Sequence, residues 1–113
     1  MATGRLAAVD MTAGTYTQIY ECPSSTFAVV TVSVCNRGIP GNPGGSVPAL
    51  IRLTVSDVFP PNLPDYIEFD TSLAVNGVLE RTGIVLSAGQ RISARSSSAE
   101  VSMVVYGIET PTV

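Results

Sequence analysis

A chain of 113 residues lies near the commonest domain size and can bury roughly two-thirds of its unfolded surface, so residues 1–113 are expected to fold as one domain without staples. Charged residues make up 13% of the chain against 45% apolar; the net charge is −3, with no lysine, no histidine and six scattered arginines (Arg5, Arg37, Arg52, Arg81, Arg91, Arg95). With no basic stripe, no imidazole and no amine, nucleic-acid binding, Ser-His-Asp or Cys-His catalysis, Schiff-base chemistry and P-loop phosphate binding all lack their residues.

A surface so poor in charge and rich in Ser, Thr, Gly and Pro suits a protein covered largely by neighbours. The plainer alternative is a monomer kept soluble by its hydroxyls. The opening MATGRLAAVDMTAG has one arginine but no uninterrupted apolar segment before a cleavage site, and does not read as a secretory signal. A first strand is predicted at Arg5–Asp10 and a second at Thr15–Glu21. After the turn Pro23-Ser24-Ser25 comes FAVVTVSVC, Phe27 to Cys35. There Ala28, Val30, Val32 and Val34 line one strand face, while Phe27, Val29, Thr31, Ser33 and Cys35 line the other.

Cys22 and Cys35 flank that run. If it is one straight strand, Phe27 and Cys35 lie roughly 26 Å apart, whereas a disulfide needs Cα atoms within about 7 Å. Two free thiols are predicted, as in a protein made in a reducing compartment.

NRGIPGNPGGSVP, Asn36 to Pro48, is a loop of Pro and Gly that precedes the strand ALIRLTVSDV. In that strand Ile51, Leu53 and Val55 alternate with Arg52, Thr54 and Ser56, predicting a clean polar outer face. A second loop, FPPNLPD from Phe59 to Asp65, carries two apolar residues, Phe59 and Leu63, among its prolines. Long loops of this kind are functional or disordered. As function they are contact arms reaching a neighbour, with Phe59, Leu63, Ile39 and Val47 as candidate contacts; otherwise they are surface insertions.

Further strands are predicted at Tyr66–Phe69, Gly77–Leu86, Gln90–Ser96 and within EVSMVVYGIE, Glu100 to Glu109. Gly83 marks a bulge and Ser87–Gly89 a turn. The sum is an all-β chain of about eight strands, a single antiparallel β-sandwich of jelly-roll type. No apolar run approaches the roughly 20 residues that span a bilayer as a helix, and no membrane partner is expected.

Glu68 and Asp70 in YIEFD alternate with Ile67 and Phe69, which places both on the solvent face of an edge strand. With Glu80 they are the only pairing suggestive of glycoside hydrolysis, and there is no tryptophan to stack a sugar. Calcium on Asp57, Asp65, Glu68 and Asp70 has no loop motif behind it. Glu80 and Arg81 point to opposite faces of a strand, so each must find a cross-strand or intersubunit partner. Arg81 is the candidate for a salt bridge between subunits. No enzyme activity, metal or cofactor is expected.

The segment NGVLERTGIVLSAGQRISARSSSAEVSMVVYGIE, together with FAVVTVSVCNR and YIEFDTSLAVNGVLERTG, resembles small virion structural proteins of tailed bacteriophages, including those of cyanobacterial phages. The resemblance lies in strand and turn style over nearly the whole chain and brings no catalytic residues. It implies a β-sandwich on the particle exterior, assembled in the host cytoplasm: a head decoration (cement) protein bound as a homo-oligomer, often a trimer, to the major capsid protein. A neck, tail or baseplate accessory that recognises the host is the alternative it leaves open. Outside virology, an adhesion or secreted sandwich module also fits the strand pattern.

Overall fold

The computed structural model describes residues 3–38 and 48–112. Two of the expected contact residues, Ile39 and Val47, lie outside the described residues. All eight predicted strands are present: β1 Thr3–Asp10, β2 Thr17–Glu21, β3 Thr26–Asn36, β4 Ala49–Ser56, β5 Tyr66–Leu73, β6 Val78–Leu86, β7 Arg91–Ser96 and β8 Val101–Pro111. Among the described residues, helix is confined to one 3-10 turn, Leu63–Asp65.

The strands form two four-stranded sheets, β1-β8-β3-β6 and β2-β7-β4-β5. Every ladder is antiparallel, and the pairs nest: β4 with β5, β3 with β6, β2 with β7, β1 with β8. The chain is thus one long hairpin rolled up so that successive pairs fall alternately into the two sheets. Contacts of β3 with β8 and of β4 with β7 close each sheet. This is the jelly-roll arrangement expected from the strand count and turn spacing.

The core lies where the inner faces meet. Ala28, Val30, Val32 and Val34 of β3 are buried, as the alternation predicted, facing Ile51 and Leu53 of β4 with Ile92 and Ala94 of β7. Val101, Met103 and Val105 of β8 complete the first sheet's inner row. Buried polar contacts bridge the layers: the Tyr20 hydroxyl on β2 donates to Glu109 Oε2 on β8 at 2.5 Å, and Asn36 Nδ2 on β3 donates to the Leu73 carbonyl on β5 at 3.1 Å. Burial and that carboxylate together push the Tyr20 pKa well above its ordinary value. Cys22 is a buried thiol directed at the carbonyls of Thr26 and Leu86; Cys35 is half-buried and also free. Burial, then the Glu109 charge, raises the Cys22 pKa and keeps the thiol protonated.

Two expectations need correcting. The outer side of β4 is not a clean solvated polar face: Leu50 is exposed there, Arg52 is half-buried, and Thr54 and Ser56 are buried. Thr54 Oγ1 donates to the Ser93 carbonyl and Ser56 Oγ to that of Val58, at 3.1 and 2.7 Å. Glu68 and Asp70 also fail to share a face. Register slips between Ile51 and Leu53 of β4, where β5 carries an extra residue, and Asp70 takes φ +53°. That bulge breaks the alternation and lets β5 run on to Leu73, past its predicted end at Phe69.

Candidate interaction surface

Because the strands alternate, each sheet has an outer face, and the two outer faces differ in chemistry. On the first sheet the register sets Val85 of β6, Val29 of β3 and Ile108 of β8 side by side in one row. They are 63%, 42% and 54% exposed, so three adjacent β-branched side chains on neighbouring strands lie uncovered. Phe27 flanks the row on one side and Tyr106 on the other, both partly exposed. Tyr106 is held by a 3.0 Å bond from its hydroxyl to Glu80 Oε2, which also raises its pKa. At the β1 end, Arg5 stands opposite Tyr106 in the ladder. The row was not singled out from the sequence; its one local sign is that the outer face of β3 opens with two large apolar residues, Phe27 and Val29, before Thr31 and Ser33, unusual for the solvated side of an antiparallel strand.

The outer face of the second sheet carries a polar and aromatic cluster instead. Arg52 of β4 binds Asp70 through two nitrogens, at 2.7 and 3.2 Å, and donates to the Tyr16 oxygen at 3.1 Å. Its guanidinium lies 4.2 Å over the Phe69 ring, a favourable cation–π arrangement. The hydroxyls of Tyr16 and Tyr66 hydrogen-bond each other although Tyr16 immediately precedes β2 and Tyr66 opens β5, the two edge strands of the sheet. Their side chains therefore reach toward one another across β7 and β4. Burial raises the Tyr16 pKa, but the bonds from Tyr66 and Arg52 outweigh it and lower the pKa overall. The Arg52 hydrogen bond holds Asp70 below the usual carboxylate range.

The sequence-predicted contacts are placed as follows. Phe59 and Leu63 lie in the arm between β4 and β5, where Leu63 is 85% exposed and Phe59 and Val58 are also uncovered. The arm is tied down from both ends. Asn62 N donates to Asp65 Oδ2, Asp65 N donates to the Asn62 carbonyl, and Gln90 Nε2 holds Asp57 at 3.1 Å. Leu63 is thus presented on a fixed turn.

Arg81 does not join them. Its Nη1 meets Glu68 Oε2 at 3.0 Å, an ion pair within the chain that links edge strand β6 of one sheet to edge strand β5 of the other. Gly83 forms the predicted bulge, with φ +69° and an extra residue on β6 opposite Val30–Val32. Left-handed φ explains why glycine stands there.

The four carboxylates considered for calcium are engaged separately: Asp57 by Gln90, Asp65 by Asn62, Glu68 by Arg81, Asp70 by Arg52. No group of three or more ligating side chains gathers among the described residues. An open cleft lies between the β2–β3 and β6–β7 turns, lined by Glu21, Cys22, Pro23, Ser24, Ala88 and Gly89. It offers one carboxylate, and the Cys22 thiol beside it is buried and directed at the Thr26 and Leu86 carbonyls.

No family model matches the chain, and no curated protein matches it. Among solved structures it is similar to two crystal structures described as a pentameric capsid protein isolated from metagenomic phage sequences. One is 19% identical over 95% of this chain and 68% of that chain, with a TM-score of 0.44. The other is 20% identical over 95% of this chain and 64% of that chain, with a TM-score of 0.40.

Proposed function

We propose that this chain is a non-enzymatic virion structural protein of a tailed phage, a decoration (cement) protein that self-associates, as a trimer, on the outer head surface and stabilises it. The observation that carries the reading is apolar surface left uncovered on a sandwich whose core is already filled. The Val85–Val29–Ile108 row and the arm bearing Val58, Phe59 and Leu63 lie on different sides of the molecule. Exposed apolar groups that cluster in this way mark contact sites. Low charge, the absence of lysine and the resemblance of the strand segments to phage virion proteins point the same way. In this reading Phe59 and Leu63 reach a neighbouring subunit of the particle, and Arg81 supports the arm side through its hold on β5. The major capsid protein is the partner beneath.

Immunogold electron microscopy on particles from a lysate expressing the chain tests this. Label spread over the whole head supports a cement protein. Label confined to the neck or tail tip moves the chain to an accessory or host-recognition role. Unlabelled particles overturn the virion assignment.

A further inference from the structure

Two of the uncovered apolar surfaces, the row and the arm, differ in shape and in charged surroundings. The arm is a knob: Leu63 projects from a fixed turn, with Asp57 and Asp65 on either side in sequence. The row is a flat apolar strip three strands wide, and Arg5, at its β1 border, is exposed and has no ion-pair partner among the described residues. An acidic-flanked apolar knob and an apolar strip bordered by an unpaired cation are complementary in both respects.

They cannot meet within one chain. The arm leaves the β4–β5 edge of the second sheet, and the strip is the outer face of the first. A second copy brings them together.

We propose that the 57–65 arm of one copy seats on the Val85–Val29–Ile108 strip of the next, with Arg5 facing the arm's carboxylates. This rests on the self-association in the proposed function and specifies its geometry. Knob and strip lie on different surfaces, so the contact is heterologous, and successive copies close into a ring when the rotation permits. One kind of contact then covers both apolar surfaces of every subunit. Face-to-face packing of two strips would bring the two Arg5 borders into one interface and leave Leu63 in water.

The test uses two variants of the full chain, Leu63→Arg (arm disabled) and Ile108→Arg (strip disabled). Both positions are exposed, so each variant should keep the wild-type circular dichroism spectrum and unfold cooperatively, at the midpoint wild type shows when diluted to single chains. By light scattering coupled to gel filtration, wild type should run at a multiple of 11.8 kDa and each variant alone at the single-chain mass. Mixed one to one, the variants should give a dimer of twice that mass, because one intact arm and one intact strip remain.

Three results would overturn the proposal: L63R keeping the wild-type mass while I108R is monomeric, which indicates face-to-face strips; no dimer in the mixture; or a monomeric wild type. If a monomeric wild type still labels phage heads, the ring contact fails and the virion reading stands. If the mixture dimerises and particles carry no label, the virion reading fails and the contact stands.

Discussion

Gly107 is where a single atom should do most damage. It sits in β8 opposite Val30 of β3 and Gly4 of β1, in the interior of the first sheet. A Cβ added there would stand 2.1 Å from the Val29 carbonyl oxygen and 2.8 Å from Val30 Cα, both backbone atoms. Relieving the contact requires β8 and β3 to part by about 1 Å, which stretches the neighbouring N–H···O bonds beyond the useful range. Losing about two ladder bonds, at roughly 1 kcal/mol each, and loosening the packing beside them puts Gly107→Ala at about 3 kcal/mol or more. For a chain of this size that lowers the melting midpoint by about 12 °C or more.

Gly83→Ala is the control. Its Cβ meets nothing within 4 Å, and only φ +69° opposes it, a penalty of about 1–2 kcal/mol. Urea titration and thermal melting of both variants measure the difference. A Gly107→Ala protein within about 1 kcal/mol of wild type, or less affected than Gly83→Ala, would refute the close approach of β8 to β3. Since Tyr106 and Ile108 flank this glycine, the surviving folded fraction should also self-associate less well.

Tyr20→Phe removes the hydroxyl that reaches Glu109 and should destabilise by about 1.5–3 kcal/mol at neutral pH. The Tyr20 pKa is raised on folding. Its contribution is therefore fully present below the unfolded value near 10 and is lost as pH climbs from there through the folded value. Stability measured in urea at pH 8 and above pH 10 should fall less steeply in the variant, and an unchanged slope would count against the Tyr20–Glu109 pair. Arg81 is 45% exposed at its side chain, so a double-mutant cycle with Glu68→Gln should return under about 1 kcal/mol. A much larger loss of self-association in Arg81→Ala would assign it an intersubunit contact as well. The double variant Phe59→Ser with Leu63→Ser should stay folded and lose particle binding in a co-sedimentation assay; full binding together with an unchanged oligomeric mass would show the arm to be a plain insertion.

Much of the architecture was legible because β3, β4 and β8 alternate apolar and other residues along nearly their whole length, and Gly and Pro punctuate the gaps. Gly83 announced its bulge because glycine in a strand has few other reasons to be there. Asp70 announced nothing. An aspartate in a left-handed bulge looks, in a linear sequence, like one more solvent-facing carboxylate. The Tyr20–Glu109 bond joins residues 89 positions apart on different sheets, and it depends on how the layers stack, which no local pattern encodes. The Val85–Val29–Ile108 row likewise draws one residue from each of three separated strands, and only the register brings them level.

The two outer faces show why the apolar row bears on function rather than on folding. On the second sheet most outer polar groups are covered and paired: Thr54 and Ser56 are buried and bonded, Arg52 is matched by Asp70, and Tyr16 reaches Tyr66, while Ser93 Oγ stays unpaired and Leu50 and Phe69 stay exposed. The first sheet, built from longer strands, leaves a contiguous row of three β-branched side chains open to water. Neither face is needed to fill the core, which is closed between the sheets by residues with almost no exposure. Burying one more valine or isoleucine stabilises by about 1.5–3 kcal/mol, and the row forgoes that gain in the isolated chain. Its exposure is recovered only when a surface of matching chemistry arrives, and the arm of a second copy supplies one.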